Sequence, residues 1–273
     1  MDLPFFRDKG TGRPIIFLHG WTMDGSVFSG QMERLSPQFR CIAPDLPGHG
    51  QSRNLPPNIP RSAEALNKLI LDLKLEDVIL VGWSMGALIA WRYLSRFGQD
   101  KVSGLVTVDM SPKISNGPEW SYGLLRETRR EAADPTYKTD WEKRASAIAR
   151  GMFSGAASDN DKSVDAALEL VLSQNPGMMQ AMWASMMKTD ERATIPQLRI
   201  PWLICYGMHS QIYPRQVRKW MLERAPQARA LGFSASGHSP HLEEPATFAQ
   251  ALVRFADGLP TATSSSQALG RAM

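Results

Sequence analysis

Cysteine is scarce in this chain, with two in 273 residues. Cys41 and Cys205 each sit inside an apolar run, Arg40-Cys41-Ile42-Ala43 and Leu203-Ile204-Cys205-Tyr206, where a thiol behaves as a small buried hydrophobe. A disulfide framework is excluded, and both read as free thiols. Long apolar runs are also lacking: none approaches the ~18 residues of a membrane span. The start, Met1-Asp2-Leu3-Pro4-Phe5-Phe6-Arg7-Asp8, has neither the basic opening nor the apolar stretch of an export signal. These absences lead us to expect a soluble, cytoplasmic protein with no membrane partner. There is no long run of Lys or Arg, and 31 basic against 27 acidic residues leave a formal charge of only +4. Nucleic acid is therefore not implied as a partner, while an acidic protein is not excluded. Neither a zinc-ligand spacing nor a dinucleotide-binding loop is found, so no metal or organic cofactor is expected.

What is present is ample apolar material, 43% of residues, enough for one sizeable core. Short apolar runs closed by Gly, Pro or Asp alternate with segments of helical period. This pattern predicts an α/β fold with a mostly parallel central sheet flanked by helices. The runs are Pro14–Leu18, Cys41–Ala43, Val78–Val81, Leu105–Val108 and Trp202–Tyr206, and their continuous apolarity suits strands buried on both faces. Between Pro112 and Pro201 the strand-like runs stop and charged helical stretches appear, at 126–133 and 141–150, among many Met residues. We expect residues 1–111 and 201–257 to form the core, 112–200 an inserted helical cap, and 258–273, rich in Thr, Ser and Ala, a flexible tail.

The chemistry is concentrated at Val78-Ile79-Leu80-Val81-Gly82-Trp83-Ser84-Met85-Gly86, which reads as strand, tight turn and helix start. A sharp turn of this kind lifts a serine hydroxyl above the sheet, and Gly82 and Gly86 remove side chains that would block it. Ser84 is thus the expected nucleophile. The free N–H groups of the helix start face a developing oxyanion, which assigns one donor to Met85. A second donor is expected from Leu18-His19-Gly20-Trp21, after the first apolar run, at the Trp21 amide; the bland alternative is that this segment is only a structural turn. Of five histidines, His238 lies in Ser236-Gly237-His238-Ser239-Pro240, after a strand-like run at 229–233 and before the helix that Pro245 opens. It is the expected base. His241 is the nearest rival and fits a packing role better, and His49 fits a structural loop.

Taken together, His19-Gly20-Trp21, Asp45-Leu46-Pro47-Gly48-His49-Gly50-Gln51-Ser52, Gly82-Trp83-Ser84-Met85-Gly86 and Gly237-His238 resemble the α/β-hydrolase superfamily. The resemblance spans nearly the whole chain outside the cap and tail and implies the chain order nucleophile, acid, histidine. Within the superfamily, His-Gly-Trp with Gly-Trp-Ser-x-Gly is most similar to the pimeloyl-[acyl-carrier-protein] methyl ester esterases of biotin synthesis and related small carboxylesterases. One departure stands out. The family pattern implies an acid in Gly207-Met208-His209-Ser210-Gln211-Ile212-Tyr213-Pro214, at the position of Ser210, and a serine cannot compensate an imidazolium. Asp109, at the end of the strand after the nucleophile helix, is the expected replacement, a position some superfamily members use. A Ser–His dyad, or Glu243 or Glu244 as acid, remains open, and His209 is a further polar residue for the pocket.

The cap supplies much apolar surface, notably Trp120, Tyr122, Phe153, Met182, Trp183 and Met186. Part of it must face the nucleophile and suits an apolar acyl chain. Trp21, Trp83 and Phe153 are the expected substrate contacts. Arg126, Arg129, Arg130, Lys143, Arg144 and Arg150 make one side of the cap basic, which in the resembled esterases receives the acidic acyl carrier protein. The expected activity is a serine carboxylesterase acting on a small or carrier-linked acyl ester. A thioesterase, a C–C bond hydrolase on the same residues, and a non-catalytic binding member are the alternatives.

Overall fold

The computed structural model describes residues 2–124, 136–155 and 162–260. Arg126, Arg129 and Arg130, the helical stretch expected at 126–133 and the tail from residue 261 lie outside the described residues.

The apolar runs become inner strands of one seven-stranded sheet. In chain order these are β1 (Phe6–Lys9), β2 (Pro14–Leu18), β3 (Arg40–Pro44), β4 (Val78–Trp83), β5 (Val102–Val108), β6 (Trp202–Gly207) and β7 (Ala228–Phe233). They lie side by side as β1-β3-β2-β4-β5-β6-β7. Only β1 runs antiparallel, against β3; every other neighbour is parallel. Strand alternation divides the apolar residues between two layers. Ile16, Leu18, Leu80, Leu105 and Ile204 point to one, and Ile15, Phe17, Val81, Val106 and Cys205 to the other. Both cysteines are free and buried, and burial pushes the Cys41 thiol up to about 12. The sequence pattern misses β1 because Phe-Arg-Asp-Lys has no apolar run. An edge strand does not need one, and its charges are used laterally: Arg40 pairs with Asp8 at 2.6 Å and Arg7 with the buried Asp45 at 2.6 Å.

Helices cover both faces. On one side lie α2 (Ile59–Asp72), α3 (Met85–Phe97) and α7 (Gln216–Arg224); on the other, α1 (Ser29–Leu35) and α9 (Pro245–Asp257). Helix α2 shows why the sequence folds this way. Asn58 caps its first turn by accepting from the Arg61 N–H at 2.9 Å, and Ile59, Ala63, Leu66 and Ile70 recur at three- and four-residue spacing and are buried. Each such Leu or Ile contributes about 2 kcal/mol of apolar burial. Between β5 and β6 the chain carries α4 (Trp141–Gly151), α5 (Lys162–Ser173) and α6 (Pro176–Lys188). This insertion is tied to the core where the Trp21 indole N–H donates to Met179 O (2.9 Å), the Ile59 N–H to Ser185 Oγ (3.0 Å) and the Gly50 N–H to Gln174 Oε1 (3.1 Å). A four-residue helix, α8 (Pro240–Glu243), precedes α9. The chain also stays packed slightly beyond the expected start of the tail: Leu259 is buried, and Arg13 donates to Ala256 O and Pro260 O.

Candidate active site

Ser84 caps the junction of β4 and α3 with φ 51° and ψ −119°. A non-glycine residue rarely holds this left-handed backbone unless its surroundings impose it. Here its N–H donates to Val108 O at 2.9 Å, and its carbonyl accepts from the Ala87 N–H at 2.9 Å. A Cβ on Gly86 would collide with the Leu18 carbonyl, so only glycine lets the start of α3 lie this close to β2. The result is a half-buried hydroxyl at the C-terminal end of the sheet, opening into a cavity of about 830 Å³.

His238 lines the same cavity. Its Nδ1–H donates to Asp109 Oδ2 at 2.7 Å, and both side chains are largely buried. That bond directs the Nε2 lone pair away from Asp109 and leaves it available as a proton acceptor. Asp109 follows β5 directly, with φ 45°, so its side chain projects from the strand next to Ser84's. The Ser210 hydroxyl donates to the same Asp109 Oδ2 at 2.5 Å. Thus the serine in the loop after β6 faces the carboxylate that follows β5. Glu243 and Glu244 do not reach the His238 ring: Glu243 accepts from the Gly237, Ser239 and Ser154 N–H groups, and Glu244 from the Ala235 N–H and the Ser236 hydroxyl.

The His-Gly-Trp turn is fixed by its own histidine. The His19 Nδ1–H donates to Gly20 O at 2.8 Å while Nε2 accepts from the Leu46 N–H at 2.9 Å. Burial lowers its pKa, which keeps the ring in the neutral form that this donor–acceptor pair needs. The Trp21 and Met85 N–H groups have no acceptor among the described residues. His49 packs edge-on against His19 at 5.0 Å and His241 against Trp83 at 4.6 Å; burial lowers each to about 3.

The expected contacts Trp21, Trp83 and Phe153 all line the cavity. Trp83 has a second task, since its indole N–H donates to His238 O at 2.9 Å. One expectation needs correction. His209 is exposed and lies outside the cavity, because the turn closed by the Ser210 N–H on Gly207 O points it outward. Trp120 and Tyr122 pack on one another at 5.1 Å and do not line the cavity. Of the Met-rich α6, Met182 is buried in the layer shared with α2, and only Trp183 and Met186 border the cavity. Sequence reasoning did not foresee that Lys143, Arg144 and Arg150 border this cavity together with Asp140. Nor did it find Tyr213, which also borders it and whose phenol is pushed well above 10 by burial and by Asp109. The helical spacing of the three basic residues within α4 was the available signal.

A buried carboxylate orienting an imidazole that lines the same cavity as a half-buried serine, with two free amides close by, has the parts needed to activate a hydroxyl and to stabilise an oxyanion. Comparison with known proteins agrees with this chemistry. A family model described as the alpha/beta hydrolase fold matches residues 13–245. A pimeloyl-[acyl-carrier protein] methyl ester esterase of Vibrio vulnificus is 30% identical over 92% of this chain and 97% of its own. Among solved structures, an esterase of Exiguobacterium antarcticum superposes with a TM-score of 0.83 at 25% identity, covering 93% of this chain and 95% of that one. A thermophilic esterase of Thermogutta terrifontis gives 0.81 at 26% identity, covering 92% of each chain. The family match and the sheet order together establish that this chain belongs to the alpha/beta hydrolase fold family.

Proposed function

We propose that this α/β-hydrolase is a serine carboxylesterase using Ser84 as nucleophile, His238 as base and Asp109 as acid. The carrying observation is the 2.7 Å bond from His238 Nδ1 to Asp109 Oδ2 at the edge of the cavity into which Ser84 opens. In this reading His238 Nε2 takes the Ser84 proton as Oγ attacks the ester carbonyl. The Trp21 and Met85 amides hold the oxyanion, and Asp109 compensates the imidazolium. Collapse breaks the bond to the alkoxide, which leaves with the proton from His238. Water then gives a proton to His238 as its oxygen attacks the acyl-enzyme, and Ser84 is regained as the acid departs.

The insertion between β5 and β6, within 112–200, acts as the cap over this cavity. Met152, Phe153, Trp183 and Met186 form its apolar wall and fit a medium-length acyl chain; Lys143, Arg144 and Arg150 make another part basic. The name of the Vibrio relative gives a pimeloyl-[acyl-carrier protein] methyl ester as the substrate of that protein, and an apolar acyl chain on an acidic carrier would suit this pairing of apolar and basic walls. We take it as the substrate, with the carrier docking at the basic side of the cap and the enzyme acting in the cytoplasm. Among the described residues, no helix is long and apolar enough to cross a membrane.

The test is hydrolysis of p-nitrophenyl esters of increasing acyl length, and of carrier-linked pimeloyl methyl ester, by wild type and Ser84→Ala. Ser84-dependent turnover with an optimum at medium length supports the esterase. Preference for the carrier-linked ester, lost in Lys143→Glu, supports docking. A folded wild type whose Ser84 resists fluorophosphonate labelling would instead indicate a binding protein.

A further inference from the structure

Glu243 is the last residue of α8, five positions after His238, and its two carboxylate oxygens serve two different parts of the molecule. Oε2 accepts from the Gly237 N–H at 2.8 Å and the Ser239 N–H at 3.3 Å, the amides on either side of His238. Oε1 accepts from the Ser154 N–H at 2.6 Å, 89 residues away, in the stretch that follows α4. The residue before Ser154 is Phe153, a wall of the cavity. The two backbones also touch directly. A Cβ on Gly237 would come within 2.5 Å of Phe153 C and of Ser154 N, so the loop carrying His238 approaches the cavity wall as closely as only glycine allows.

We propose that Glu243 is a positioning residue that couples the Phe153 wall to the histidine loop, so that filling the cavity with a long acyl chain also sets His238. This rests on the esterase reading above and goes beyond it by assigning acyl-length discrimination partly to a group that does not touch substrate. A carboxylate suits the task because three N–H donors from two segments converge on two acceptor oxygens. The neighbouring Glu244 is the internal contrast: its Oε2 accepts from the Ala235 N–H and the Ser236 hydroxyl, both within the histidine loop.

Two substitutions separate the functions. Glu243→Asp keeps the charge near Gly237 and Ser239, which lie in the loop that leads into α8, but is one methylene too short for Ser154. It should lower kcat/KM for p-nitrophenyl octanoate ~10-fold more than for the acetate, as expected when a wall shifts by a fraction of an ångström. Glu243→Gln presents one N–H₂ where an acceptor is needed, and should lower kcat for both esters by ~10- to 100-fold. Rates are counted per Ser84 titrated with fluorophosphonate, so a loss of folded protein cannot mimic either pattern. Without any substrate, hydrogen exchange at the Ser154 amide should quicken in Glu243→Asp while exchange at Gly237 changes little; unchanged exchange at Ser154 overturns the bond. In the unmutated protein, an octyl phosphonate on Ser84 should slow exchange at Gly237 and Ser239 relative to a methyl phosphonate. The coupling is overturned by a wild-type octanoate-to-acetate ratio in Glu243→Asp, or by equal exchange under the two phosphonates. Failure of the esterase itself looks different: no turnover by wild type and no labelling of Ser84.

Discussion

The C-terminal ends of β4 and β5 contrast with that of β6. Ser84 and Asp109, which cap the first two, both hold left-handed backbone, at φ 51° and 45°, and project into the site from adjacent strands. β6 ends at Gly207, whose carbonyl closes a turn with the Ser210 N–H, and Ser210 sits in backbone outside the left-handed region. Yet Asp109 and Ser210 meet at one atom, since Asp109 Oδ2 accepts from both His238 and Ser210. Strained backbone is thus found at the two positions proposed to carry the nucleophile and the acid, and the relaxed loop supplies a neutral hydrogen-bond donor. The teaching is that a carboxylate can reach the histidine from the strand beside the nucleophile, while the loop after β6 keeps a supporting role.

The largest break in this contrast is expected from removing chemistry at the strained ends. Ser84→Ala should abolish turnover, and Asp109→Asn should cost about three to four orders of magnitude in kcat, with folding intact by circular dichroism. A near-normal rate for Asp109→Asn would move the acid elsewhere or make the pair a dyad. Next comes the packing that holds the β4 end in place. Gly86→Ala drives a methyl group into Leu18 O and should destabilise by roughly 3 kcal/mol, read as a lowered denaturation midpoint; unchanged stability would show that the approach of α3 to β2 can relax. At the relaxed end, Ser210→Ala removes one donor to Asp109 and should lower kcat about 10-fold, the value of one hydrogen bond to a charged group. If Ser210→Ala matched Asp109→Asn in severity, the two loops would be equal partners and the contrast would fail.

The smallest step concerns the histidines packed beside this machinery. His49 and His241 are held at about 3 by burial in the fold, against about 6.5 when unfolded. Below pH 6.5 the unfolded chain binds protons that the native state refuses, so stability falls as pH falls. The loss is about 0.7 kcal/mol per histidine from pH 7 to 6, steepening to about 1.4 kcal/mol per unit until pH nears 3. Denaturant midpoints at pH 7, 6 and 5 for wild type and His241→Phe test this. The variant should lose the slope of one proton, and identical slopes would show that His241 is charged in the native state.

Much of this was legible because local chemistry and strand burial are written in neighbouring residues. Continuous apolar runs located the inner strands, and Gly-x-Ser-x-Gly after one of them located the turn. The position of Asp109 at a strand end made it readable as the partner of His238 once Ser210 was seen to be no acid. Charged edge strand β1 escaped notice because its pairing lies in the backbone. The link that Glu243 makes also escaped, since its partners Ser154 and Gly237 are main-chain amides, and a main-chain amide has no letter in the sequence.

By itself, then, the sequence determined the inner strands of the sheet, the elbow at Ser84 and the types of residue available for proton transfer, because period, glycine placement and strand ends are properties of short segments. Tertiary structure alone decided which of these meet. It put Lys143, Arg144 and Arg150 on the cavity, turned His209 to the surface, and joined Glu243 to Ser154. Such contacts depend on how elements far apart in the chain are laid against one another, and the packing of the whole core settles that.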